Sequence, residues 1–310
     1  MTKRRLIADQ IDRRMRGGAI SIGNFDGVHR GHAALISRLR AMAAKIDGPA
    51  IAVTFDPSPA AILRPGGVPP QVTTIAHRTE LLLACGADHV VVCKTDRDLL
   101  NQSAEEFFRK LVIDELAAKG IVEGPNFYFG KHRVGDTALL RELCKANGLA
   151  LEIVDPHADG EALISSTRVR ELLLGGDVVG ANRLLTAPYR IKGTVVRGSA
   201  RGRQIGFPTA NIDGVKTLLP GAGVYACRVY RNGKKLADAA TNIGPNPTFG
   251  ENTAKIEVHL LDFDGDLYGE ELDVEFCMRI RGVVRFASAP ELSRQLIRDI
   301  AEIRLQLSQA

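Results

Sequence analysis

Residues 19–32 read Ala-Ile-Ser-Ile-Gly-Asn-Phe-Asp-Gly-Val-His-Arg-Gly-His. A short apolar strand runs into a glycine-punctuated loop, and the loop ends in two histidines spaced H-x-G-H. Gly23, Gly27 and Gly31 let the backbone turn and approach a ligand closely. A helix is expected from about Gly31 or His32, with Ala33, Ala34, Leu35, Ile36, Leu39 and Met42 at its apolar positions. His29 and His32 then fall near one face of the first turn. Ring N–H groups, free main-chain amides and the positive end of the helix dipole can converge there on one anion. Strand, glycine turn and helix start together predict an α/β fold with a phosphate site built from Gly23, Asn24, Phe25, Gly31 and the two histidines.

Outward from this stretch, β-type runs alternate with helical patterns. Ala50 to Phe55 and His89 to Cys93 are apolar enough to be buried strands, while Ala76 to Cys85 and Ala104 to Ala118 carry helical spacing. Ser103 and Glu106 stand in capping-box register ahead of the second helix. A further strand, Gly120 to Glu123, leads into Gly124-Pro-Asn-Phe-Tyr-Phe-Gly130. Such alternation, up to about Leu185, is the pattern of βαβ units and hence of a parallel sheet flanked by helices. Near its end, Ile164-Ser-Ser-Thr-Arg-Val-Arg170 places hydroxyls ahead of a helix over Val169 to Leu174. Ser165 or Ser166 can cap that helix, and Thr167 and Arg170 in its first turn suit a second phosphate. Two helix starts aimed at one cleft would grip a triphosphate at both ends.

Beyond Pro188 the periodicity changes. Tyr189 to Val196, Gly223 to Tyr230, Lys255 to Asp262 and Leu272 to Met278 are short strands divided by Gly and Pro turns, which predicts an antiparallel barrel or sandwich. An amphipathic helix from Ala289 to about Leu307 closes the chain, its stripe made of Leu292, Leu296, Ile297, Ile300 and Ile303. The change of pattern places a domain boundary near Thr186 to Pro188, dividing residues 1–186 from 187–310.

The second half holds its own candidate site. Gly198-Ser-Ala-Arg-Gly-Arg-Gln-Ile-Gly-Phe-Pro-Thr-Ala-Asn211 follows the strand that ends near Val196. Gly198, Gly202 and Gly206 let main-chain amides face a phosphate, and Arg201 and Arg203 add guanidinium groups. Thr209 and Asn211, two apart on an extended segment, face the same way and offer two hard oxygens to a magnesium ion. Asp262, Asp264 and Asp266 suggest a calcium loop, but no glutamate stands at the liganding spacing and the segment fits a tight β-turn.

Composition narrows the class. The chain has 310 residues, 45% of them hydrophobic, enough for a packed core in each of two domains. Lys and Arg number 41 against 36 Asp and Glu, a net +5 that is scattered along the chain. That balance favours phosphate-bearing small molecules. Aromatics are only 5% with no Trp, so a base-stacking platform, and with it nucleic acid as a partner, is not expected. Arg4, Arg5, Arg13, Arg14 and Arg16 make the N-terminus basic without the apolar core of a signal peptide, and no run is long enough to span a bilayer. Cys85, Cys93, Cys144, Cys227 and Cys277 are widely spaced with no CxxC pair, which predicts free thiols in a reducing cytoplasm. Nothing in the sequence sets an oligomeric state.

The first motif set resembles the nucleotidyltransferase superfamily, and Gly23 to His32 is similar to its flavin-adenylating branch. The resemblance runs on through Thr54-Phe-Asp-Pro-Ser-Pro59, residues 124–130, Arg133-Val-Gly-Asp136 and residues 164–170. Residues 198–211 are similar to the riboflavin kinase signature. Leu219 to Ala226, Asn242-Ile-Gly244, Asn246-Pro-Thr-Phe249 and Glu257 to Gly269 follow in family order. From Ala19 to Arg304 the chain thus resembles the bifunctional bacterial riboflavin kinase/FAD synthetase family. The resemblance implies a Rossmann-like nucleotidyltransferase domain that joins FMN to the α-phosphate of ATP, releasing pyrophosphate and forming FAD. It also implies a barrel domain that phosphorylates riboflavin to FMN, both steps using ATP and Mg2+.

Residue by residue, it implies that His29 and His32 stabilise charge on the phosphates, and that Ser166, Thr167 and Arg170 hold the departing pyrophosphate. Asn126 and Asp136 would contact the flavin in the first domain, and Phe207 in the second. Glu257 would accept the proton of the ribityl 5′-hydroxyl, with Thr209 and Asn211 holding the metal. Three departures stand out: Ser58 where a histidine is usual, Asn126 where an acidic residue is more common, and Gly282-Val283-Val284 where acidic residues often follow the arginine equivalent to Arg281. Ser58 and Asn126 favour, as the competing reading, a chain that keeps only the kinase.

Overall fold

The computed structural model describes residues 4–7, 12–64, 66–155, 158–159, 162–198, 202, 206–246 and 251–309. By contacts the chain divides into two compact units, Met1–Pro69 with Thr73–Ser166, and Pro70–Val72 with Thr167–Ala310.

In chain order the first unit contains β1 (Arg4–Ile7), β2 (Ala19–Ile22), α1 (Arg30–Lys45), β3 (Ala50–Asp56), α2 (Pro59–Leu63), α3 (Ile75–Ala84), β4 (His89–Lys94), α4 (Arg97–Asn101), α5 (Ala104–Phe107), β5 (Gly120–Glu123), α6 (Thr137–Ala146), β6 (Ala150–Ile153), and the pair β7 (Ala158–Asp159) and β8 (Ala162–Leu163). Six strands form one sheet in the order β1-β4-β3-β2-β5-β6, every pairing parallel. Both faces are covered, so the central strands are mostly apolar, with Ser21, Thr54 and Glu123 as buried polar exceptions. Ile20, Ile22, Ile51, Val53 and Val91 face one core with Phe107, Phe108, Leu111 and Leu140. Ala19, Ala50, Ala52 and Val90 face the other with Ile36, Leu39 and Met42 of α1.

The alanines on that second face leave room for α1 to pack close, and so does Gly120, where a Cβ would lie 2.5 Å from the Met42 sulfur. From β2 the chain builds outward to β3 and β4, then returns to β5 on the other side. Such a switch in strand order places the ligand crevice at the carboxyl ends of β2 and β5.

The helix expected over 104–118 is α-helical only through Phe107, with the Ser103–Glu106 capping box formed as anticipated. Residues 108–115 widen into a π-type turn that buries Phe108, Leu111 and Val112, and the Leu116 N–H reaches back to the Leu111 carbonyl. Sequence spacing does not distinguish this wider pitch from an ordinary helix. Strands β1 and β6 and helix α6 add to the elements expected from the sequence; α6 carries Leu139, Leu140, Leu143 and Cys144 at helical spacing and buries Leu140 and Cys144.

Besides Pro70–Val72, the second unit takes in α7 (Ser166–Leu174) from Thr167 on, α8 (Val178–Leu184), β9 (Arg190–Val196), β10 (Ala210–Asp213), β11 (Gly223–Arg231), β12 (Lys234–Asn246), β13 (Glu251–Leu260), β14 (Glu271–Arg281) and α9 (Ala289–Ser308). The six strands close into an antiparallel barrel, β10-β13-β12-β11-β14-β9. Ile191, Val195, Tyr225, Val258, Val274 and Phe276 are buried. α8 joins this unit because Asn182 donates to the Phe276 carbonyl at 2.8 Å and accepts from the Tyr189 N–H at 2.7 Å. α9 packs Ile303 and Leu307 against Ala226 and Leu261. Its expected stripe needs one correction, for Ile297 is 59% exposed. The buried face instead includes Asp299, held by Arg281 at 2.8–3.1 Å and by Gln295 at 2.8 Å. The supposed calcium segment is a turn, with Asp262 bound by the Arg304 guanidinium at 2.6 and 2.7 Å and Asp266 accepting from the Tyr268 N–H.

Candidate active sites

The loop after β2 is held in an unusual backbone conformation. Phe25 (φ 47°), Gly27 (φ 83°) and Val28 (φ 39°) all lie in the left-handed region. For the two non-glycine residues this costs ~1–3 kcal/mol each, and such geometry persists only where its surroundings over-determine it. Asp26, Arg78, Thr54 and Thr73 do so from beneath. The Asp26 carboxylate accepts from the Thr73 N–H at 3.0 Å and its hydroxyl at 3.2 Å, and pairs with the Arg78 guanidinium at 3.3 Å. Arg78, 1% exposed, also donates to the Thr54 and Thr73 hydroxyls at 3.4 Å. Thr54 donates onward to the Asn24 carbonyl, and the Gly27 N–H donates to the Thr73 hydroxyl.

His29 is the N-cap of α1, which starts at Arg30. Its Nδ1 accepts from the His32 N–H at 3.4 Å, while the His32 Nδ1 accepts from the His29 N–H at 3.3 Å. This is a capping box made of two imidazoles, whose rings stack at 3.6 Å. Phe25 packs edge-on against His32. Because each Nδ1 is an acceptor, a neutral ring carries its proton on Nε2, and both Nε2–H groups remain as donors. Burial pulls His29 down to about 4 from an ordinary 6.5, against the attraction of Asp26. Burial, followed by the neighbouring His29 and Arg78 charges, pulls His32 well below that value. Gly31 lets the rings sit as they do, since a Cβ there would lie 3.1 Å from the His29 Nδ1. At Gly23 a Cβ would meet the Phe25 ring at 3.2 Å.

Ser166, the first residue of α7, donates its hydroxyl to the Asp26 carbonyl at 2.7 Å, so the sequence-distant serine does reach the loop. Ser165 precedes it, half-buried; Thr167 is exposed and Arg170 half-buried in the first turn of α7. Asn126 is exposed on the segment after β5, beside the stacked Phe127 and Phe129 rings. Asp136 caps α6, its Oδ1 accepting from the Ala138 and Leu139 N–H groups at 2.9 Å. Sequence reasoning missed three residues here. Arg78 and Thr73 support the loop. Glu123, 3% exposed, accepts from the Ile22 N–H at 2.5 Å where β2 and β5 part, and burial pushes its carboxyl well above the usual range. Glu123, a charged residue closing the apolar run Gly120 to Val122, carried a signal in the sequence; Thr73 and Arg78 carried none.

On the barrel, strand register assembles the second site. Asn211 on β10 stands directly opposite Glu257 on β13, and Glu257 stands opposite Asn242 on β12. Facing residues on paired strands share one side of the sheet, so Asn211, Glu257 and Asn242 form one polar row. Asn242 was not read as a site residue, because register is a property of the folded sheet. Thr209 lies one residue before β10. At Gly198 a Cβ would fall 2.1 Å from the Asn211 amide nitrogen, and at Gly202 it would fall 2.2 Å from the Phe207 carbonyl. The two glycines thus line a cradle that side chains would fill. Gly206 has φ 87°, and Phe207 packs edge-on against His259. Arg201 and Arg203 lie outside the described residues.

Among the described residues no group of three or more His, Cys, Asp or Glu could hold a metal. Magnesium shared with a nucleotide needs only one or two protein oxygens. The Thr209 hydroxyl and Asn211 amide oxygen, beside the glycine cradle, fit it.

Comparison with known proteins agrees with both halves. A FAD synthetase family model matches residues 11–168, and a riboflavin kinase model matches residues 185–307. The bifunctional riboflavin kinase/FMN adenylyltransferase of Escherichia coli K12 is 37% identical over 283 residues, 91% of this chain and 90% of that protein. That of Haemophilus influenzae is 35% identical over 93% of this chain and 94% of its own. A solved structure described as a macrolide-efflux protein from Streptococcus pneumoniae is 32% identical with a TM-score of 0.86, covering 97% of this chain and 98% of that one. Among the described residues no helix is long and apolar enough to cross a membrane. With one enzyme family spanning the α/β unit, another spanning the barrel, and relatives aligned over nine-tenths of their length carrying both names, the chain belongs to the bifunctional riboflavin kinase/FMN adenylyltransferase family.

Proposed function

We propose that residues 187–310 phosphorylate riboflavin to FMN and residues 1–186 adenylylate FMN to FAD, with ATP consumed at each step. The observation that carries this reading is that one chain holds two chemically unlike sites on two unlike folds. One is the neutral imidazole pair at the head of α1; the other is the Asn211–Glu257–Asn242 row on the barrel.

In adenylyl transfer the FMN phosphate oxygen attacks the α-phosphorus of ATP, and pyrophosphate leaves. No covalent enzyme intermediate is needed, so the protein contributes positioning and electrostatics. The Nε2–H groups of His29 and His32 donate to phosphate oxygens as negative charge builds, aided by main-chain amides around Gly23, Asn24, Phe25 and Gly31. Ser165, Ser166, Thr167 and Arg170 at the head of α7 hold the pyrophosphate. Asn126 contacts the flavin, together with Asp136 through the oxygen that does not cap α6.

In the kinase step Glu257 takes the proton of the ribityl 5′-hydroxyl as that oxygen attacks the γ-phosphorus. Gly198, Arg201, Gly202, Arg203 and Gly206 wrap the phosphates, and Phe207 flanks the flavin. Thr209 and Asn211 would hold Mg2+, which neutralises phosphate charge when bound. The five free cysteines support a reducing, cytoplasmic setting, with small molecules as partners.

Chromatography of riboflavin incubated with ATP and magnesium tests the whole reading, with FMN and then FAD expected to accumulate. FMN without FAD would leave only the kinase, the reading that the Ser58 and Asn126 departures favour. Ser58 precedes α2 without capping it.

A further inference from the structure

We propose that Arg78, which lies beneath the nucleotide loop, is a positioning residue for adenylyl transfer, holding the strained 24–28 backbone so that both imidazoles keep their Nε2–H groups on the phosphates. The proposal rests on the assignment of His29 and His32 to that step.

A guanidinium that is 1% exposed is costly to bury, and a buried ion pair is weak support for stability in its own right. Its partners indicate what it does. The Arg78 contacts to Asp26, Thr54 and Thr73 go to groups that in turn hold the loop or its anchor. Asp26 is a loop residue. Thr54 bonds the Asn24 carbonyl, and Thr73 bonds the Gly27 N–H and the Asp26 carboxylate. These bonds clamp residues 24, 26 and 27, which alternate with Phe25 and Val28, the two non-glycine residues held at positive φ.

Val28 leads directly into His29, whose N–H must meet the His32 Nδ1 for the reciprocal imidazole cap to form. Without Arg78 the Asp26 carboxylate is a buried charge lacking its counter-ion. The loop then relaxes toward ordinary backbone angles, and the histidine cap turns with it. Arg78 touches no reacting atom, so its loss reduces the rate of the chemical step more than it weakens nucleotide binding.

Three variants test this: Arg78→Met, Arg78→Lys and Thr54→Val, the last removing the hydroxyl shared by Arg78 and Asn24 at nearly constant shape. Each is assayed for FAD from FMN and for FMN from riboflavin, with rates referred to folded protein. For Arg78→Met we expect kcat for FAD formation to fall about 100-fold, the size associated with a 1 Å misplacement, and KM for ATP to stay within about threefold of wild type. Arg78→Lys should recover part of the loss and Thr54→Val should show a smaller one. Kinase turnover should be unchanged in all three.

15N shifts of the imidazoles give a readout that lost stability alone would not move. In wild type both Nδ1 atoms should report as unprotonated acceptors, and in folded Arg78→Met that signature should be lost. If Arg78→Met does not fold, Thr54→Val carries the test. Wild-type kcat in the folded variant, or a raised KM with kcat intact, overturns the proposal. His32→Ala run in parallel separates the two ideas. Full turnover there removes the histidine assignment itself, whereas an inactive His32→Ala beside a fully active Arg78→Met removes only the positioning role.

Discussion

Acid should loosen the first unit in part through His29, and replacing that residue with asparagine should remove that part of the effect. The folded state holds the imidazole at about 4, against 6.5 when unfolded, chiefly because burial disfavours its charged form. Between those values the unfolded chain binds more protons than the folded one, so stability falls as pH drops below about 6.5. The interval from 6.5 to about 4 is worth at most about 3 kcal/mol, reached below pH 4, and about 2 kcal/mol of it is already lost at pH 5. Asparagine is itself a good N-cap and can accept from the His32 N–H, so His29→Asn should cost less than about 1 kcal/mol at neutral pH.

The assay is urea unfolding at pH 7.5 and pH 5.0, followed by hydrogen exchange at the β2 amides so that the first unit is read separately. Wild type should lose about 2 kcal/mol more than His29→Asn over that interval. Taking the difference cancels the carboxylates and other histidines common to both proteins. Equal losses in the two would refute the argument, because the ring would then carry no buried, neutral state to be lost.

His32→Ala should slow FAD formation about 10- to 100-fold, the worth of one lost phosphate donor at ~1–3 kcal/mol, and leave riboflavin phosphorylation intact. Equal loss of both activities in a folded variant would contradict independent sites. Asn211→Ala and Glu257→Ala should do the reverse, abolishing FMN formation while supplied FMN is still adenylylated, as product chromatography would show. Gly198→Ala should also silence the kinase, since its methyl would press on the Asn211 amide at 2.1 Å, and wild-type turnover would show that the cradle is not needed. Asp136→Ala should lower stability by about 1 kcal/mol through its lost cap, measured as a shift in the urea midpoint. An accompanying rise in KM for FMN would show that it also meets the flavin.

Much of the fold was readable because its signals are local. Ala19–Ile22 and Ala50–Phe55 declare a sheet covered on both faces, the glycines of residues 23–31 declare a turn, and the shift to short strands after Pro188 declares a second fold. Ser103 and Glu106 formed their capping box as expected, since the motif spans only four residues. Local signals failed where a competing tertiary term took over. Ile297 fits a helical stripe as well as Ile300 does, but the helix turns to bury Asp299 against Arg281 and leaves Ile297 in solvent.

The sequence by itself determined the two site chemistries, because H-x-G-H before a helix and a Gly/Arg loop before Thr209 and Asn211 are short-range patterns. Only the tertiary structure decided how those residues are held. The partner of His29 is the main chain of His32, the strut under the loop comes from Arg78 some fifty residues away, and the neighbours of Glu257 are set by strand register. Hydrogen bonds and burial act through space, so their effect on a proton or a backbone angle has no counterpart in residue order until the chain has closed on itself.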